Sequence, residues 1–148
     1  MSKIPEDLRP RVYASLELTL DILHVARAFA NVDLESLTIY LCVAEATMRP
    51  VMADPEFARR IATEDVAPED VRGSITMLLV ADRLDMPRET VRRKVKKLIE
   101  LGLLYEDTKG RIRSTPNFTD PRVGETVHAI QNAVDRYRDR LSRHGVQG

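Results

Sequence analysis

Three consecutive residues, Asp85-Met86-Pro87, constrain this chain more than any others. They separate two amphipathic segments, and Pro87 cannot sit inside a helix, because its ring removes an N–H and clashes with the carbonyl four residues back. It must lie before, or in the first turn of, whatever helix follows. On the N-terminal side Ile75, Leu78, Leu79 and Leu84 support a helix ending near Leu84. On the other side Val91, Val95 and Leu98 recur at i, i+4 and i+7, the buried stripe of a helix beginning near Arg88. Gly102 is placed to end it as a C-terminal glycine. Two helices joined by about three residues make a helix-turn-helix. Leu103 to Asp107, Thr108-Lys109-Gly110 and Arg111 to Thr115 then read as a β-hairpin, with Gly110 in the left-handed turn position. Ile112 is expected to face the core, with Arg111 and Arg113 on the other side, offered to phosphates. The fold class expected is mainly α with a small β-hairpin wing. It is a winged helix-turn-helix over residues 73–115, flanked by N- and C-terminal dimerisation helices.

The flanks support that layout. A first helix is expected from Asp7 to Ala30, with an irregular start at Pro10. Glu17, Asp21 and His24 form its narrow polar stripe, and nearly everything else on it is apolar. So wide an apolar face needs more than one neighbour, which points to a partner subunit. Asp33 caps a second helix through Met48, with Leu34, Leu37, Leu41, Ala44 and Met48 as its core stripe. Asp54-Pro55 starts a short third helix with Phe57 and Ile61 on its apolar edge. Glu64, Asp65, Glu69 and Asp70 around Pro68 read as an acidic solvated loop. Asp120-Pro121 starts a last helix, in which Val123, Val127, Ile130, Val134, Tyr137 and Leu141 alternate steps of four and three. The organisation expected is a single domain, 1–148. It comprises a dimerisation helix (7–31), the winged helix-turn-helix (33–118) with an insertion at about 48–72, and a second dimerisation helix (120–143).

Net charge is zero, but the charges are unevenly spread. Residues 1–72 carry 8 basic and 13 acidic side chains, whereas residues 73–118 carry 10 and 6. A basic segment within an acidic or neutral chain is the local footprint of a DNA reader. Turning 100° per residue from Val91 places Glu89, Arg93, Lys96, Lys97 and Glu100 opposite the apolar stripe, with Arg88, Thr90 and Arg92 on the flanks. Residues near the N-terminal end of such a helix reach deepest into a major groove. Arg88, Glu89, Thr90, Arg92 and Arg93 are therefore the candidate base readers. Arginine can fork onto guanine O6 and N7, and a glutamate can accept from a cytosine amino group. Lys96, Lys97, Lys109, Arg111 and Arg113 are the candidate phosphate clamps, which position without reading sequence.

The run Pro87-Arg88-Glu89-Thr90-Val91-Arg92-Arg93-Lys94-Val95-Lys96-Lys97-Leu98 resembles the recognition helix of the cyclic-AMP receptor/FNR family of bacterial regulators. That resemblance implies base reading by Arg88, Glu89 and Arg93, and a half-site with a TGA-like step. It stops at the helix: residues 1–72 read as helical and not as that family's β-roll, so no cyclic-nucleotide sensing is implied. In layout the chain is more similar to the MarR-type dimeric regulators.

Other chemistry has less support. Cys42 is the only cysteine, which excludes an internal disulfide and a cysteine-based zinc site. With Thr38, Glu45 and Arg49 it is expected to lie away from the leucine stripe, as a buried or inert thiol, with oxidant sensing as the alternative. Glu17, Asp21 and His24 lack further ligands for a metal, and read as a solvated stripe or dimer contact. His128 and His144 have no nucleophile or ligand nearby in sequence. No Gly-rich phosphate loop, nucleophile elbow or zincin motif is present, so no catalytic residue, metal or cofactor is expected. No stretch approaches the roughly 20 apolar residues of a membrane span, and no signal peptide is expected. The expectation is a cytoplasmic bacterial transcriptional regulator, a homodimer holding two recognition helices roughly 34–36 Å apart on pseudo-palindromic double-stranded DNA. A small-molecule effector stays open as a further partner. The alternative is a winged-helix protein–protein interaction module with no DNA target.

Overall fold

The computed structural model describes residues 3–29, 31–64, 66–115 and 118–148. In chain order its elements are α1 (Leu8–Ala28), α2 (Leu34–Met52), α3 (Pro55–Arg60), α4 (Met77–Leu84), α5 (Arg88–Glu100), β1 (Leu104–Glu106), β2 (Ile112–Ser114) and α6 (Pro121–Arg143). The chain forms two compact units: residues 1–31 with 120–148, and residues 32–119. No helix among the described residues is long and apolar enough to cross a membrane.

The first unit pairs α1 with α6. Pro10 falls in the first turn of α1, where a missing N–H costs little. The expected end of this helix at Ala30 lies outside the described residues. Glu17 and Asp21, expected as part of a solvated stripe or dimer contact, are half-buried and ion-paired within the chain. Arg140 reaches both carboxylates (3.0 Å to Glu17, 3.4 Å to Asp21), and Arg136 also meets Asp21 at 3.3 Å. Low numbers on α1 thus meet high numbers on α6, and the helices run antiparallel. Ala14, Leu141 and Val146 form a small buried cluster, with Tyr137 packed against it. The expected α6 seam is only partly buried: Leu141 is fully covered but Val127 is exposed.

The second unit is built around α2. Asp33 caps it as expected, its Oδ1 accepting the Ser36 N–H at 2.7 Å. The core face is only partly the expected leucine stripe, however. Leu37 is buried as expected and Ala44 half-buried, but Leu34, Leu41 and Met48 are exposed, whereas Ile39, Tyr40, Val43 and Ala46 are buried. The reason is position: α2 is central and packs on α3, α4, α5 and β2, so its buried arc is wide and takes in Cys42 and Thr47 as well. Glu45, on its outer side, bridges Arg49 of α2 and Arg83 of α4.

Pro50 does not stop α2, which continues four residues past Met48. Without an N–H, Pro50 cannot bond the Ala46 carbonyl, and residue 73 passes that side of the helix. The Gly73 N–H donates to the Thr47 carbonyl at 2.9 Å. A Cβ at 73 would lie 2.1 Å from the Ala46 carbonyl oxygen, so only glycine fits. Asp54 caps α3 through the Phe57 N–H (3.1 Å), as expected. Of the expected acidic loop, Asp65 lies outside the described residues, and Glu69–Val71 form one 3-10 turn.

Ile75 does not begin α4. Its N–H and carbonyl pair with Ile112 (3.0 and 2.7 Å), a one-residue bridge onto the hairpin, and Thr76 caps the helix through the Leu79 N–H. The buried residues of α4 are Val80 and Ala81, while Leu78 and Leu79 are exposed. The turn to α5 is as tight as Pro87 requires, with Asp85 left-handed at φ 52° and the Met86 N–H donating to the Ala81 carbonyl. At the other end of α5, Gly102 adopts φ 74°. The Leu103 N–H bonds Leu98 and the Gly102 N–H bonds Ile99, the double closure of a Schellman C-terminus. The hairpin follows, antiparallel, with Leu104 opposite Ser114.

Candidate nucleic-acid interface

Helix α5 has two chemically opposed sides. Val91, Val95 and Leu98 are fully buried, as their spacing predicts. With that side held on the core, Arg88, Glu89, Arg92, Arg93, Lys96 and Lys97 are all exposed, and Thr90 is half-buried. Arg88, Arg93, Lys96 and Lys97 make no ion pair among the described residues, so their charge is available to a ligand. Glu89 is different: its carboxylate takes a fork from Arg92, with Nε at 3.0 Å from Oε2 and Nη2 at 2.5 Å from Oε1. The Arg92 hydrogen bond holds the Glu89 carboxyl below the usual carboxylate range. Arg92 and Lys96 also edge a shallow depression completed by Met77, Ile99, Glu100 and Glu106.

One cation of the basic run faces inward. Lys94 sits on the apolar side of α5, 9% exposed, with its ammonium 2.6 Å from Asp33 and 3.5 Å from Glu35. Its role is to join α5 to the N-terminal end of α2. The signal was present in the sequence, because 94 lies 60° from Val91 on the helical wheel.

The hairpin corrects a larger part of the expectation. Ile112 does face the core, but Arg111 and Arg113 are not offered outward. Arg113 is 16% exposed; it meets Asp107 at 3.2 Å and donates to the Glu69 carbonyl at 2.8 Å. Arg111 is half-buried, with Nη2 3.5 Å from the Ser74 carbonyl and Nε buried without a hydrogen-bond partner among the described residues. Asp107 is the reason the loop closes this way. Its Oδ1 accepts the N–H groups of Lys109 and Arg111, which holds its carboxyl below the usual range, and Oδ2 then draws Arg113 in. Lys109 at the tip stays exposed. Among the hairpin candidates, only Lys109 carries a readily available charge.

Two residues that were not singled out from sequence hold the hairpin in place. Arg72 donates to the Tyr105 hydroxyl (3.0 Å) and to the Ser114 carbonyl, and its guanidinium lies 5.7 Å from the Tyr105 ring centre. Thr47 accepts the Ser114 N–H at 3.0 Å while bonding back to Val43. The stretch 48–72, expected as an insertion with no assigned role, thus ends in a clamp on β2. Cys42 is buried, and burial pushes its thiol up from the ordinary range. That is the opposite of the low thiol pKa that favours oxidant sensing. No cluster of three or more metal-ligating side chains occurs among the described residues. Compared with known protein families, characterised proteins and solved structures, the chain gives no match.

Proposed function

We propose that the chain is a sequence-specific DNA-binding transcriptional regulator, a winged helix-turn-helix acting as a homodimer on a pseudo-palindromic site. The observation that carries this reading is the outer side of α5. There four exposed cations, without ion pairs among the described residues, stand on a helix whose other side is locked into the core. A rigid helix presenting cations from its first turn onward is what major-groove entry needs. Arg88 and Arg93 serve as base readers, and Lys96, Lys97 and Lys109 as phosphate clamps.

The homodimer rests on α1. Val12, Tyr13, Leu16, Leu20 and Leu23 are all exposed, and at 100° per residue they fall within one arc of about 100°. A contiguous apolar strip of this size marks an interaction surface rather than ordinary scatter. Pairing through it gives the two-fold symmetry that a palindromic site mirrors.

Selection of bound sequences from random duplex tests the whole reading. The expected product is one short pseudo-palindrome. Its affinity should fall with a log–log salt slope of about −5, as six lysine–phosphate contacts per dimer require. A protein without duplex affinity at low salt would instead use the basic face on an acidic protein partner, and the regulator reading would be lost.

A further inference from the structure

Glu89 is the one acidic group on the N-terminal half of the exposed side of α5, and both of its oxygens are engaged by Arg92. We infer that Glu89 reads no base itself but orients Arg92, so that the pair recognises one guanine as a unit. The inference rests on the DNA-binding reading above.

Hydrogen-bond bookkeeping on the guanidinium supports it. Arginine has five N–H donors in a fixed plane. The carboxylate takes Nε–H and one Nη2–H, in the parallel two-bond arrangement that fixes orientation as well as distance. Three donors remain, two on Nη1 and the outer one on Nη2. The Nη1/Nη2 edge is itself a fork, matching guanine O6 and N7. The fork takes about half of the acceptor sites of the Glu89 carboxylate and fixes its orientation, so a cytosine amino group is left only the lone pairs turned away from Arg92. The pair also offsets the charge of Arg92, which is poorly suited to act as a further phosphate clamp while Glu89 holds it.

Position agrees with this role. Glu89 is in the first turn of α5 and Arg92 in the next, within the part of the helix that enters a groove most deeply. Arg93 projects about 100° away around the helix, so Arg92 and Arg93 address different base pairs. An exposed pair three residues apart contributes little to folding. Its removal leaves the fold intact.

Two measurements on the full chain test the inference. In free protein, nitrogen-15 spectra of arginine side chains should show a slowly exchanging Arg92 Nε–H. That protection should be lost in Glu89→Ala and reduced in Glu89→Gln. On the selected duplex, Glu89→Ala and Arg92→Ala should each lower discrimination at the same base pair by about tenfold or more. The double variant should lose no more than either single one. Glu89→Ala should also steepen the salt slope by about two per dimer, because the released Arg92 of each subunit moves to a phosphate. Losses at two different base pairs, or an unprotected Arg92 Nε–H in the parent protein, would overturn the inference while DNA binding stands. A protected Arg92 in a protein that binds no duplex would bring down the DNA reading, and this inference with it.

Discussion

Lys94 Nζ lies 2.6 Å from Asp33 Oδ2, joining the inner side of α5 to the capping residue of α2. The lysine is 9% exposed and the aspartate side chain 55%, so the pair is buried at one end only. Asp33 remains solvated if its partner is removed, whereas the lysine stem is packed. Lys94→Met keeps the stem and should cost about 1 kcal/mol, and Lys94→Ala about 2 kcal/mol. Urea denaturation of the two variants checks the order. A larger loss for Lys94→Met would place the ammonium, not the stem, in charge of stability.

The same pair predicts a response to acid. The Lys94 hydrogen bond, followed by the Ser36 N–H, holds the Asp33 carboxyl at about 2, below its ordinary value of 3.8. A carboxyl lowered on folding adds stability that is complete above the unfolded value and lost as pH falls through the folded one. Between pH 4 and pH 2 the parent protein should therefore lose more stability than Asp33→Asn does. Denaturation midpoints at several pH values give the comparison. Parallel losses would show that Asp33 titrates normally.

Gly73 should tolerate no side chain. With a Cβ 2.1 Å from the Ala46 carbonyl oxygen, Gly73→Ala must push residue 73 off α2 and break its bond to Thr47. The cost should be on the order of 2–4 kcal/mol, read as a lower melting temperature. Pro50→Ala tests the cause from the other side: an N–H restored at 50 would draw in the Ala46 carbonyl against which residue 73 packs, and should not stabilise the protein as a Pro→Ala change inside a helix ordinarily does.

The hairpin arginines and lysine should separate cleanly. Lys109→Ala should weaken binding to all duplexes alike and make the salt slope shallower by about one for each phosphate it no longer neutralises. Arg113→Ala should instead lower stability, because it deprives Asp107 and the Glu69 carbonyl of a donor. A salt slope changed by Arg113→Ala in a fully folded protein would return that residue to the phosphate set.

Arg93→Ala should cost on the order of 1–3 kcal/mol at the selected site and relax one base position. A uniform loss across sequences would move Arg93 to the clamps. For the dimer, Leu16→Ser with Leu20→Ser should give a monomeric mass by light scattering at micromolar concentration, where the parent protein is expected at twice that mass. A monomeric parent would remove the dimer.

Much of this molecule was legible in the chain because local rules were enough. Pro87 and Gly102 bracket α5 wherever it packs, Asp33 and Asp54 cap α2 and α3, and Gly110 turns the hairpin with φ 74°. The opposed sides of α5 follow from Val91, Val95 and Leu98 alone. Those features need only backbone sterics and a period of 3.6 residues.

What the tertiary structure decided was where each wide or polar surface goes. Periodicity gave α2 a leucine stripe, but a helix with several neighbours is buried according to their placement, and Leu41 was left outside while Cys42 went in. Alternation put Arg111 and Arg113 on the outer face of the hairpin, yet Asp107 and the carbonyls of Ser74 and Glu69 drew them inward. The helical wheel placed Lys94 on the core side, but only the approach of Asp33, 61 residues away, gave it a partner. The turn at Asp85-Met86-Pro87 belongs to the sequence itself, because a proline's fixed φ and missing N–H act within a few residues. The allocation of charges between core clamps and exposed face belongs to the fold, because an ion pair depends on distances that the chain acquires only when distant segments meet.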